Sequence, residues 1–309
     1  MVEDISFLVG GMSVQAVPGL GERFDIELDL PPARMLYGMG LDDLVEVVGL
    51  YDESLRVMIA EHDISWREVY QASDIGRERM ALIDRIKPSR EDIVLDLGCG
   101  KGFTTAALAF ASSMVCGLDL MNGSGRWGWW TNFRLEMDSL GLQDKVSGTR
   151  SSAVKIPYRD GGFTLTASAH ALRNFGSRST IVAALRELRR VTRDGGRVVV
   201  AENLPVANSK AQEAHLKYFK LRTRILKSDS PFYSEDELTG MFEEAGLDVT
   251  SRQVLDFNLS AAPPLFGIDP EKVPPGERTA FMEEYAQACE MIKEHGEASP
   301  PVLLLEAYI

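Results

Sequence analysis

The chain has 309 residues, near the upper limit that one hydrophobic core fills, so one large domain with an appendage is expected. Apolar residues at 45% and charged residues at 26% are ordinary globular usage, which excludes wholesale disorder and collagen-like repeats. Lys and Arg total 33 against 46 Asp and Glu, and the net charge of -13 disfavours general nucleic-acid binding, because polyphosphate is repelled wherever no basic patch overrides it.

The first 75 residues read differently from the rest. Met12, Val14 and Ala16 alternate before Pro18-Gly19, and Phe24, Ile26, Leu28 and Leu30 alternate after it, which predicts a hairpin. Pro31-Pro32 stops the strand, and Leu41, Leu44, Val45, Val48, Leu55 and Ile59 recur at helical spacing, giving one or two helices to about His62. A further helix runs from about Ile75 to Ile86 and ends at Lys87-Pro88. The domains are therefore an N-terminal hairpin-plus-helix extension, 1–75, and a main domain, 76–309.

From Glu91 on, short apolar strands alternate with helical segments, the pattern of a parallel sheet covered on both faces. Strands are expected at Ile93-Val94-Leu95, Val115 to Leu118, around Val146, Phe163 to Ala167, and Val198-Val199-Val200 after an Asp194-Gly195-Gly196 turn. Helices fall at about 103–112, 131–140 and 178–192, the last with Ser177 and Ser179 as caps and Arg189, Arg190 and Arg193 at its C-terminal end. Lys210 to Lys227 forms a basic helix, Ser234 with Glu237 opens another with a capping box closed by Gly246, and a last helix covers Arg278 to His295.

Three cysteines, Cys99, Cys116 and Cys289, are too few and scattered for a disulfide framework or a four-ligand zinc site. The acidic start does not suit a secretory signal, and no run of about 20 apolar residues exists to span a membrane. A cytoplasmic location with no transmembrane segment and no bound metal is the expectation.

The strongest chemical signal is Val94-Leu95-Asp96-Leu97-Gly98-Cys99-Gly100-Lys101-Gly102, a buried strand running into glycines and then into a helix. Glycines there let the backbone turn tightly and approach a ligand. Asp119 ends the next strand 21 positions after Gly98, where one βαβ unit returns to the same crevice and a carboxylate can accept from ribose hydroxyls. Phe103 breaks the dinucleotide fingerprint, and the G-x-x-x-x-G-K-[ST] phosphate loop fails as well. The remaining pattern suits a ligand with a ribose and no pyrophosphate.

At these residues the chain resembles the class I S-adenosylmethionine-dependent methyltransferases, and it looks closest to the ubiquinone/menaquinone biosynthesis C-methyltransferase group. Ile156-Pro157-Tyr158-Arg159-Asp160-Gly161-Gly162-Phe163 is similar to that group's L-P-F-x-D-x-x-F, and Ala171-Leu172-Arg173-Asn174-Phe175 to its G-L-R-N-[VF]. The resemblance covers about Ala81 to Phe257 and returns at the C-terminus. It implies a doubly wound α/β fold with a seven-stranded, mostly parallel, Rossmann-like sheet, whose last strand, Val302 to Tyr308, inserts antiparallel between strands five and six. Residues 262–299 would then be an insertion.

The resemblance also implies S-adenosyl-L-methionine as cofactor. Gly98, Cys99, Gly100 and Gly102 would line the methionine moiety, with Asp96 ordering the loop. Asp119 would hold the ribose hydroxyls, Leu120 would flank the adenine, and Ser168 would close the site from strand four. Ser152, beside Ala153, stands where relatives carry the Asp of Gly-Asp-Ala, so the charge-assisted contact to adenine is lost. Thr164 likewise replaces an Asp.

Other residues weigh functional against structural roles. The stretch 121–130 sets glycines beside Trp127, Trp129 and Trp130, to close over a flat ligand or simply to pack. His170, just past strand four, and Glu202, at the end of strand five, are the first and second candidates for stripping a hydroxyl proton. Arg173 and Asn174 either anchor the acceptor or shape the turn. His215, Tyr218 and Tyr233 lie where relatives cover the acceptor, and the basic helix is by default a solvated face.

The reading is a methyltransferase acting on a small-molecule acceptor, an aromatic or quinone-like ring. The alternatives are a protein or RNA methyltransferase, or a cofactor-binding protein without catalysis. Residues 1–75 either cap the acceptor crevice or serve as a homodimer interface or a separate packing module.

Overall fold

The computed structural model of the chain describes residues 63–120, 130–226, 232–259 and 273–309, together with residues 57 and 61. The expected N-terminal hairpin, almost all of the helical stretch before His62, and the tryptophan-bearing loop lie outside the described residues.

In chain order the helices and strands begin with α1 (Trp66–Ala72), α2 (Asp74–Ile86), β1 (Ile93–Leu97), α3 (Phe103–Ala111), β2 (Met114–Asp119), α4 (Trp130–Ser139) and β3 (Val146–Arg150). There follow β4 (Phe163–Ala169), a 3-10 turn (Leu172–Phe175), α5 (Arg178–Val191), β5 (Thr192–Asn203) and α6 (Lys210–Leu226). The chain finishes with α7 (Glu235–Glu244), β6 (Val249–Leu255), α8 (Arg278–His295) and β7 (Val302–Tyr308). Contacts divide it into two units: a sheet unit of Glu78–Leu204, Asp229–Leu255 and Val302–Ile309, and a second unit of the chain up to Arg77, Pro205–Ser228 and Asp256–Pro301.

The sheet unit is an α/β fold with seven strands in the order β3-β2-β1-β4-β5-β7-β6. β1 through β5 pair in parallel, and β7 lies antiparallel to both β5 and β6, the place expected of it. Strands covered on both faces show near-continuous apolar runs: Val94 to Leu97 and Val302 to Leu305 are buried throughout. β6, at the sheet edge, alternates in exposure instead. The amphipathic α5 turns Ile181, Val182, Leu185 and Leu188 inward onto Val198, Val200, Leu303 and Leu305 of the core.

Caps set the boundaries. Ser177 accepts from the Thr180 amide at 3.2 Å at the head of α5, and Ser234 with Glu237 forms the reciprocal capping box of α7. Two expectations are corrected. α1, with its own capping box of Ser65 and Glu68, is a helix the apolar spacing did not indicate, separated from α2 at Ser73, whose backbone is extended. The Asp194-Gly195-Gly196 turn is part of β5, which starts at Thr192 opposite Phe163 and then shifts register before Leu165 pairs with Arg197.

Val302 pairs with both Asn203 and Leu255. The chain therefore leaves the sheet after β5 and β6, and returns into β7, at one end of the strands, the end at which β1, β2 and β4 also finish. In the second unit, Ala214, Tyr218 and Leu221 on α6 pack with Phe281, Tyr285, Ala288 and Ile292 on α8, both sets at helical spacing. The basic face of α6 is partly paired to α8, Arg224 with Glu284 at 2.9 Å and Lys217 with Gln287 at 3.2 Å.

Candidate active site

β1 delivers the chain into Gly98, Gly100 and Gly102 with φ of 76°, 52° and 97°, the left-handed region where only glycine is unstrained. A Cβ on Gly98 would stand 2.4 Å from the Cβ of Ala171, so the missing side chain is what lets the turn after β4 close against the loop. The amides of Gly98 and Cys99 both donate to the Leu118 carbonyl, at 2.7 and 3.2 Å. The Gly100 amide donates to Asp119 Oδ2 at 3.0 Å, which ties the loop to the carboxylate at the end of β2. Asp96, Gly98, Cys99, Gly100, Gly102 and Asp119 are thereby gathered at the C-terminal ends of two adjacent strands.

Asp96 is buried and accepts from Thr105 Oγ1 at 2.6 Å. Burial pushes its carboxyl up to about 6, helped by Asp119 and opposed by Thr105 and the Arg79 guanidinium. Burial, with the Asp96 and Asp119 carboxylates, also holds the Cys99 thiol well above its ordinary value, so no thiolate forms there. Ser168 is buried and donates to the Leu97 carbonyl at 3.0 Å, stitching β4 to β1. Leu120 is exposed just past Asp119, and Ser152 and Ala153 are half-buried beyond β3, where Ser151 N reaches the Asp119 carbonyl at 3.0 Å.

Behind the loop lies a pair that sequence reasoning missed. Glu136 on α4 is buried with no hydrogen-bond partner for either carboxylate oxygen among the described residues, and burial pushes it up to about 8, with buried Lys101 pulling the other way. Nothing in the local sequence marks it, since a helical Glu is ordinarily solvated.

At the ends of β4 and β5 a second polar group assembles. His170 has φ of 54° and its amide donates to the Ala201 carbonyl at 2.8 Å. Its Nδ1 faces Asn203 Oδ1 at 2.8 Å, and its Nε2 lies 2.9 Å from a carboxylate oxygen of Glu78 of α2, out of line for a straight hydrogen bond. Arg173 donates to the same Asn203 oxygen at 3.0 Å and lies 5.3 Å over the Phe232 ring. Burial alone would raise the Glu78 carboxyl, but Arg79 and His170 hold it down at about 2. Glu202 is buried, and its Oε1 accepts the Leu172 amide at 2.7 Å, so this carboxylate holds the turn that follows β4.

His215, in the second unit, stacks on Phe219 with centroids 6.2 Å apart and pairs through Nδ1 with buried Glu297. Tyr218 is buried against Tyr285, and Tyr233 is partly buried against the sheet core. A cavity of about 840 Å³ at the opposite ends of the strands, where β4 and β5 begin, is lined by Arg186, Arg189, Arg190 and Arg193, away from both polar groups. Arg190 there is bound by Glu187 and Asp160. Among the described residues no helix is long and apolar enough to cross a membrane, and no group of three His, Cys, Asp or Glu side chains could hold a metal.

Residues 95–200 match the family model described as a methyltransferase domain. The chain is 28% identical over 239 residues to a demethylmenaquinone methyltransferase of Bacillus mycoides, covering 72% of this chain and 91% of the relative. It is 27% identical over 187 residues to one of Corynebacterium kroppenstedtii, covering 59% and 69%. A solved structure of a cyclopropane-fatty-acyl-phospholipid synthase-like protein from Lactobacillus casei shares the fold, with a TM-score of 0.59 at 17% identity over 78% of this chain and 93% of that one.

Proposed function

We propose that this chain, a class I S-adenosylmethionine-dependent methyltransferase, methylates a small-molecule ring compound of quinone or hydroquinone type bound beside the ends of β4 and β5. The observation that carries the reading is the loop of three left-handed glycines tied through the Gly100 amide to Asp119. A side chain at Gly98 would strike Ala171, so the bare backbone there keeps the loop and the turn after β4 packed together beside the proposed cofactor site. The acceptor class is supported by the demethylmenaquinone methyltransferases, which the chain resembles over most of their length.

In this reading Gly98, Cys99, Gly100 and Gly102 line the methionine part of S-adenosylmethionine, ordered by Asp96. Asp119 takes the ribose hydroxyls, Leu120, Ser152 and Ala153 border the adenine, and Ser168 fixes the strand ends beneath. When bound, the cofactor supplies an electrophilic methyl group on a sulfonium. The protein's part is to hold donor and acceptor in line and exclude water, worth up to roughly 7 to 11 kcal/mol. A phenolic ring carbon becomes nucleophilic once its hydroxyl is ionised, and His170 and Glu202 are the groups nearest that task in sequence. The geometry gives them different work: Glu202 serves the Leu172 amide, and His170 is engaged at both ring nitrogens. Arg173 is the better contact for the resulting oxyanion.

The test is incubation of the full chain with methyl-labelled S-adenosylmethionine and reduced demethylmenaquinone, alongside a metabolite extract. Label in a quinone-type product with matching S-adenosylhomocysteine is expected. Cofactor binding with no transfer overturns the catalytic reading, and label in protein or RNA alone overturns the small-molecule one.

A further inference from the structure

Glu78 has no part in the roles assigned above, yet it is a buried carboxylate of the sheet unit, and it faces the Arg79 guanidinium and the His170 ring. Proton placement across the neighbouring group follows from donor and acceptor types. Arg173 can only donate, so the Asn203 atom it contacts is the carbonyl oxygen, and the His170 Nδ1 facing that oxygen at 2.8 Å must carry hydrogen. His170 Nε2 lies 2.9 Å from a Glu78 carboxylate oxygen, out of line for a straight hydrogen bond, and because a bare nitrogen lone pair held that close to a carboxylate would be repelled, hydrogen is assigned to it as well. A neutral imidazole has only one such hydrogen. Among the described residues, the charged groups of this network are Glu78 and, beside it, Arg79 from α2, and Arg173 from the 3-10 turn, while Glu202 of β5 binds the Leu172 amide next to it and Asp96 of β1 feels the Arg79 charge.

We propose that Glu78 is a positioning residue: it keeps hydrogen on both nitrogens of His170 and, through Asn203, sets the direction of Arg173, leaving a fixed cationic face for an ionised oxygen of the acceptor. The last clause rests on the methyltransferase reading; the proton placement does not. His170 is then removed as a proton acceptor, and the substrates favoured are hydroxyarenes or enols whose oxygen ionises without help from that ring.

The chain has four histidines, so imidazole nitrogen NMR of the full-length protein is tractable, with His170→Gln assigning the signal. At neutral pH the His170 ring should show hydrogen on both nitrogens, and Glu78→Gln should convert it to a ring with one. A single neutral tautomer in the unmodified protein, or no change in Glu78→Gln, overturns the placement. For positioning, Glu78→Gln should lower kcat/KM for reduced demethylmenaquinone about tenfold, the loss growing as pH rises, while the Kd for S-adenosylmethionine stays the same and Glu78→Asp restores part of the rate. A variant that loses the second ring hydrogen yet turns over normally sinks the positioning role. Absence of any methyl transfer by the unmodified protein sinks the proposed function and leaves the NMR result to decide the proton placement.

Discussion

Replacing Gly98 with alanine tests the loop where its backbone is most constrained. The new Cβ would sit 2.4 Å from the Cβ of Ala171, which is fixed to a buried backbone and cannot swing aside. The φ of 76° adds about 1 to 2 kcal/mol for a left-handed alanine, and forced overlap in a packed region adds about 1 to 3 kcal/mol. Alanine restricts the unfolded chain, which returns about 0.4 to 1 kcal/mol. A net loss of roughly 1.5 to 4 kcal/mol is expected in urea unfolding, with S-adenosylmethionine binding weakened in calorimetry because the loop must move. Ala171→Gly removes the opposing Cβ at a position whose φ of -114° any residue tolerates. The double variant should therefore recover the overlap part and keep the left-handed part, a coupling of about 1 to 3 kcal/mol. Additive losses, or a Gly98→Ala protein that unfolds and binds like the unmodified one, would refute the steric argument.

If Asp119 holds the ribose as proposed, Asp119→Ala should weaken S-adenosylmethionine and S-adenosylhomocysteine at least about tenfold by calorimetry, since two hydrogen bonds to a carboxylate would be lost, at about 1.5 to 3 kcal/mol each. Glu202→Gln keeps an acceptor for the Leu172 amide and should retain most activity, whereas Glu202→Ala leaves that amide unsatisfied and should cost about 1 to 3 kcal/mol of stability; inactivity of the Gln variant with intact folding would return Glu202 to the list of bases. Asp96 has a folded pKa of about 6 against an ordinary 3.8, so the folded state binds the extra proton, and stability falls as pH rises from about 4 to 6. Glu78, lowered to about 2 from 4.5, acts oppositely and below that window, its contribution present above 4.5 and lost as pH falls toward 2. Asp96→Asn should remove the decline between about pH 4 and 6 and gain up to about 3 kcal/mol at neutral pH; an unchanged pH profile of urea unfolding counts against the buried-charge account. Deleting residues 302–309 should abolish cooperative folding, because β7 is hydrogen-bonded on both sides and Leu303, Leu305 and Ala307 are fully buried; a folded truncation would contradict that.

The sequence by itself determined what depends on neighbours along the chain. The apolar runs of β1 and β7, the Ser234 capping box and the glycine loop with Asp119 one βαβ unit on are local patterns, legible from residue order and spacing alone. The tertiary structure decided what depends on distant pairing. β5 begins at Thr192 because Phe163 pairs there before the register shifts, although Asp194-Gly195-Gly196 has the composition of a turn. α6 and α8 find each other across β6 and α7, and a helical apolar stripe does not say which other stripe covers it. The same limit applies to chemistry. His170 reads as a base when seen alone at a strand end, but its Nδ1 is taken by Asn203, 33 residues away, and its Nε2 lies against Glu78 on a helix before the first strand. A side chain's composition tells what it can donate or accept; only the packing of remote strands and helices tells which partner has already claimed it.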